Sequence, residues 1–212
     1  FGCTLSAAGS YQWFKNALGT HETAMQEQTG SNAYELLNKQ AASVAAGSDG
    51  LIFLPYLTGE RCPVFDPYAR GGFIGITSTM HKGHFARSVM EGVCFSLKQV
   101  YDLIARAAEI CSTEIVVSGG GSKSALWRQI LADIFRLPVH TVYGSSEGGA
   151  FGAALLAGAA SGIWTDLDEA MRVVKTVEIT SPDESSQEVY LSRYADYCRM
   201  YDNLKWSYRQ SI

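Results

Sequence analysis

Ile115-Val-Val-Ser-Gly-Gly-Gly-Ser-Lys-Ser124 is the stretch whose reading decides the fold. Three β-branched residues predict a short buried strand, Ile115 to Ser118. Three glycines then stop it, and the apolar stripe Leu126, Trp127, Ile130, Leu131, Ile134 and Phe135 predicts a helix over Ala125 to Phe135. In that helix Arg128, Gln129 and Asp133 fall on the opposite, polar face. Pro138 marks its exit, and Val139 to Val142 reads as the next strand. Ser145 or Ser146 then caps a further helix that Gly162 ends, with Glu147 at the positive end of its dipole. Strand, helix, strand, helix in that order is an α/β pattern with a parallel strand pair.

Upstream, residues 11–18 and 34–46 read as helices, each closed by a glycine (Gly19, Gly47). Leu51 to Leu54 and Phe73 to Thr77 read as short strands. Between them Pro55 to Gly72 is a long loop, of a length that is often functional. Phe85, Val89, Val93, Leu97, Val100 and Ile104 keep a spacing near 3.6, and predict a central helix over His84 to Ala108. In the tail, Tyr190, Tyr194, Tyr197, Tyr201, Leu204 and Tyr208 predict a docking helix over residues 187–208.

Composition removes several classes. The chain has 212 residues, 47% hydrophobic and 18% charged, enough for a buried core. Lys+Arg 17 against Asp+Glu 21 gives a net charge of −4, without the basic excess of a nucleic-acid surface. Cys3, Cys62, Cys94, Cys111 and Cys198 are scattered, with no C-x-x-C, as in a reduced, cytoplasmic protein. Gly148 to Trp164 carries no charge, but it is shorter than the roughly 20 residues a bilayer needs, and reads as a buried helix rather than a membrane span. His21, His81, His84 and His140 have no metal-ligand spacing and read as surface or cap residues. Asp102 and Asp133 fall within helices and read as solvated.

The glycine run has two readings. A side-chain-free turn, Gly119 to Gly121, lets a flat or anionic ligand reach the backbone beside a helix N-terminus. It is equally the composition of a plain tight turn. A Walker loop is excluded because Ser122, not Gly, precedes Lys123-Ser124. A dinucleotide fold is disfavoured: Ser124 stands where the last Gly belongs, and no acid sits at the end of the following strand, Val139 to Val142. Gly148, Gly149, Gly152 and Ala153 read chiefly as small residues for close helix packing. Glu60, Arg61, Asp66 and Arg70 read as an ion network that stiffens the long loop.

Several segments together resemble the FGGY family of carbohydrate kinases, over about Leu5 to Trp164. Leu54-Pro-Tyr-Leu-Thr-Gly-Glu-Arg…Asp66-Pro-Tyr-Ala-Arg-Gly is similar to the family's PYLxGER…DPxARG loop. Gly71-x-Phe-x-Gly-Ile76 with His84-Phe-x-x-Ser-Val-Met-Glu91 resembles its C-terminal signature. Ser118 to Gln129 resembles its adenosine segment, Glu147 to Gly158 its G-A-A helix, and Ser6 to Trp13 its S-A-G-G-S-x-x-W stretch.

The resemblance implies an actin-like, ribonuclease-H-like ATPase lobe, a mixed sheet flanked by helices. The whole chain, residues 1–212, would be part of a C-terminal, nucleotide-side lobe, N-terminally truncated. The chain starts at Phe1 rather than Met, so a longer parent is expected. The sugar-binding lobe, the catalytic aspartate and the phosphate loops would precede it. The implied reaction moves the γ-phosphoryl of Mg-ATP to a sugar hydroxyl, with D-xylulose first and gluconate, ribulose or glycerol as alternatives. A non-catalytic actin-like nucleotide module is the other class. The implied cofactors are ATP and Mg2+. The implied nucleotide residues are Gly9, Gln12, Gly120, Gly121, Ser122, Ser124 and Ala125, with no catalytic residue and no metal ligand in this chain. The implied partners are the sugar and a second copy of the chain, with neither nucleic acid nor membrane.

Overall fold

In the computed structural model, which describes residues 1–208, the 27-residue helix α4 (Lys82–Ala108) lies at the centre. Val89, Met90 and Cys94 on it are fully buried. Its start is closed by a reciprocal cap: the His81 imidazole accepts from the Gly83 N–H, and the His84 imidazole accepts from the His81 N–H. His81 and His84 are therefore cap residues, as their positions predict. His84 is also buried, with Nε2 3.0 Å from Asp49.

Three helices precede the core strands: α1 (Ala8–Leu18), α2 (Thr20–Thr29) and α3 (Ala33–Ala42). Strands β1 (Ile52–Leu54) and β2 (Gly72–Ile74) pair antiparallel, Ile52 opposite Ile74. β1 lies so close to α4 that a β-carbon at Gly92 would fall 2.2 Å from the Phe53 carbonyl oxygen, so any side chain there must displace the strand.

The second half is the strand–helix–strand unit. β3 (Ile115–Val117), α5 (Ala125–Phe135) and β4 (Val139–Val142) form it, and β3 and β4 are parallel in the register Ile115 opposite Val139. Helices α6 (Gly148–Ala160) and α7 (Leu167–Met171) follow, then β5 (Thr176–Thr180), antiparallel to β4. The sheet is therefore mixed, in the order β3-β4-β5. Helix α8 (Glu184–Tyr208) returns across the molecule. Its Tyr190, Tyr194 and Tyr197 rings lie 6.2, 6.0 and 5.4 Å from Phe95 of α4, and Tyr201 stands edge-on to Tyr56.

Several expectations need correction. α2, α7 and β5 carry too little apolar periodicity to be read from sequence: Glu22 is the only residue buried in α2, and β5 turns Val177 and Ile179 outward. α3 stops at Ala42, four residues early. Helix α6 is not buried: within it only Leu155 and Gly158 are, and Leu156 is 59% exposed. Its cap position is held by Glu147, the last residue of the preceding 3-10 turn, Ser145–Glu147.

The small-residue reading of α6 holds at Gly148, where a β-carbon would meet the Ser118 side chain at 2.8 Å. It fails at Gly149 and Gly152, which face open space. Asp133 is buried rather than solvated, because its carboxylate accepts from Gln129 and from the Asp183 N–H. The long loop is stiffened by hydrogen bonds. Glu60 accepts from the Thr4 hydroxyl and the Leu5 and Arg61 amides, and the Arg70 guanidinium goes to the Pro67 and Ala69 carbonyls. Among the described residues no ion pair joins Glu60 to Arg61 or Arg70.

Candidate nucleotide cleft

The turn after β3 needs glycine at its first position. Gly119 sits at φ +86°, ψ −174°, a region closed to residues with a β-carbon. Its N–H donates to the Ser145 carbonyl at 2.7 Å, which joins the turn to the segment leading into α6. The chain then makes a 3-10 turn, Gly120–Lys123, and Ser124 caps α5 by accepting from the Trp127 N–H at 3.2 Å. From behind, Arg128 donates to the Ser122 carbonyl at 2.7 Å and to Glu178 of β5 at 2.6 Å. Arg128 is 6% exposed, so it is a buried clamp on the turn and not part of a solvated face.

In front of the turn is a cleft of about 450 Å³, within the size range of small-molecule sites. One wall is Gly120, Gly121, Lys123, Ser124 and Trp127. The other is the start of α1, with Ala8, Gly9, Tyr11 and Gln12, and the start of α3, with Asn32, Tyr34, Glu35 and Asn38. A β-carbon built at Gly9 or Gly120 would meet nothing within 4 Å, and at Gly121 it would touch the Trp127 ring at 3.4 Å. The missing side chains therefore leave space in the cleft rather than room for neighbouring atoms.

Five of the seven sequence-derived residues line this cleft: Gly9, Gln12, Gly120, Gly121 and Ser124. Two do not. The Ser122 hydroxyl turns back to the Gly119 carbonyl at 2.7 Å and is buried, so it shapes the turn. Ala125 is exposed on the first turn of α5, outside the lining. Asn32, Tyr34, Glu35 and Asn38 were not legible as site residues, because they come from a helix whose only sequence signal is its own apolar stripe.

The polar centre of the cleft is a short relay. The Tyr11 hydroxyl donates to Asn38 Oδ1 at 3.0 Å, and Asn38 Nδ2 donates to Ser124 Oγ at 3.2 Å. Burial pushes the Tyr11 phenol well above the ordinary tyrosine range, so it stays protonated. A larger depression of about 660 Å³ is lined by Tyr143, Trp164, Glu169, Arg172, Val173, Lys175 and Val177. It is an open surface feature: Tyr143 and Val177 are 68% and 69% exposed, and Glu169 is committed to the Thr165 amide and hydroxyl. Among the described residues no group of three His, Cys, Asp or Glu side chains is placed to hold a metal ion.

Residues 2–161 match the model of the FGGY family of carbohydrate kinases, C-terminal domain. The chain belongs to the FGGY family. A xylulose kinase of Staphylococcus epidermidis is 34% identical over 205 residues, 96% of this chain and 39% of that protein. A gluconokinase of Bacillus subtilis is 34% identical over 179 residues, 84% of this chain and 35% of that protein. The solved xylulose kinase of Lactobacillus acidophilus superposes with a TM-score of 0.81 at 28% identity, over 99% of this chain and 40% of that one. The FGGY chain thus spans about two fifths of the length of these relatives, and its fold is that of the actin-like, ribonuclease-H-like kinases.

Proposed function

We propose that this chain is the nucleotide-binding part of the C-terminal lobe of a cytoplasmic, ATP-dependent sugar kinase. The observation that carries the reading is the glycine turn: its absent side chains open onto a cleft, and two further helices close that cleft with polar groups. ATP would lie with its nucleoside against Gly120, Gly121 and Ser124, and Gln12 and Gly9 opposite. Mg2+ would arrive on the nucleotide's phosphates, since such ions are held mainly by phosphate and water with one or two carboxylates. No described helix is long and apolar enough to cross a membrane.

D-xylulose is the proposed acceptor, because the xylulose kinases of Staphylococcus epidermidis and Bacillus subtilis match over 96% of the chain, and the gluconokinase of Bacillus subtilis over 84%. Phosphoryl transfer of this kind rests on positioning and charge stabilisation. The groups that perform it lie in the proposed parent, outside this chain. The test is an assay of that full-length parent with ATP against D-xylulose, gluconate, ribulose and glycerol. Phosphorylation of xylulose above the others is expected. Preference for gluconate would replace the substrate, and no phosphorylation of any sugar would overturn the kinase reading. The 212-residue chain alone is expected to show no turnover.

A further inference from the structure

A serine hydroxyl has one proton to give and two lone pairs to receive with, and normally rotates to suit whatever approaches. Ser124 has no such freedom. Both acceptor positions on its Oγ are filled, one by the Trp127 N–H and one by Asn38 Nδ2, each at 3.2 Å. Only its proton remains. Asn38 turns its Nδ2 to Ser124 and its carbonyl away from it, where Oδ1 accepts from the Tyr11 hydroxyl at 3.0 Å. The relay ends in the core: Tyr11 is 3% exposed, and its ring is held among Phe14, Tyr34 and Trp127 at 5.5 to 6.2 Å. Tyr11, Asn38 and Ser124 all line the cleft.

We propose that Tyr11 and Asn38 are positioning residues that hold Ser124 Oγ as a fixed hydrogen-bond donor, so that the cleft takes a purine through an unprotonated ring nitrogen. This deepens the nucleotide reading above and rests on it. The same wall offers the base a donor and no serine acceptor. A base presenting a ring N–H there would meet donor against donor. Adenine, with acceptors at N1, N3 and N7, fits whichever of the three it turns to Ser124.

The test is calorimetric titration of this chain with ADP and with its 1-deaza, 3-deaza and 7-deaza analogues. Each analogue replaces one acceptor nitrogen by C–H. One analogue is expected to bind roughly three- to tenfold more weakly than ADP, the size of one neutral hydrogen bond. Ser124→Ala is expected to erase that difference. Tyr11→Phe, which keeps the buried ring, is expected to shrink it while the melting temperature stays close to that of the parent chain. A merely structural role for Tyr11 would leave the analogue penalty unchanged. Equal binding of all four nucleotides, a penalty that survives Ser124→Ala, or a penalty unmoved by Tyr11→Phe overturns the relay and leaves the nucleotide site standing. Absence of any ADP binding overturns the site itself, and the relay with it.

Discussion

Two adjacent glycines in the turn do different things. A β-carbon at Gly120 has open space before it, and one at Gly121 lies on the Trp127 ring. Gly120→Val is expected to change stability by no more than about 0.5 kcal/mol and to weaken ADP binding at least roughly tenfold, read by melting and by titration. Gly121→Val brings its β-carbon into ordinary contact with the Trp127 ring, so it should weaken ADP binding too and change stability by no more than about 1 kcal/mol. A second residue-scale test concerns Glu91. Burial pushes its carboxyl up, against the pull of Arg87, Ser48 and the Gly47 N–H. Glu91→Ala strands the buried Arg87 guanidinium and should cost about 3–5 kcal/mol in denaturant unfolding. The glycine run was legible in the sequence as a bare turn, although among its three glycines only Gly119, at φ +86°, requires glycine for its backbone. The relay was not: Asn38 stands 27 positions from Tyr11 and 86 from Ser124, and only the fold brings them within hydrogen-bond reach.

Among the elements, those with a strong apolar period were readable, and those held by polar contacts were not. α4, α5 and α8 bury stripes that the spacing of their residues marks out. α2 is held instead by Glu22, which accepts from Gln40 Nε2 at 2.7 Å and, on both carboxylate oxygens, from the Lys82 ammonium at 2.9 and 3.1 Å. Burial alone would raise the Glu22 carboxyl, but these hydrogen bonds outweigh it and hold the pKa below the ordinary value. A depressed carboxyl contributes stability above its unfolded pKa of about 4.3, and that contribution is lost as pH falls through the folded value. Glu22→Gln is therefore expected to flatten the acid limb of the stability profile below roughly pH 4, with little change in its slope above pH 6. α8 is tied down by Tyr190, whose hydroxyl meets both Arg87 and Glu91 at 2.9 Å. Tyr190→Phe leaves those buried groups short of a partner and should cost about 1–3 kcal/mol. The apolar run of α6 misled the sequence reading because Ala and Gly are compatible with burial without requiring it.

Across the molecule, the cleft depends on three separate segments: the turn after β3 and the starts of α1 and α3. The parallel pair β3 and β4 sets the turn at a strand's carboxyl end, where open α/β sheets bind ligands. The larger depression beside β5 is the competing location. Amide chemical shifts of the isotope-labelled chain, followed as ADP is added, separate the two directly. The account predicts saturable shifts at the Gly120 and Gly121 amides and at the Trp127 indole. Shifts confined to the region from Tyr143 to Val177, or no shifts at all, would contradict it.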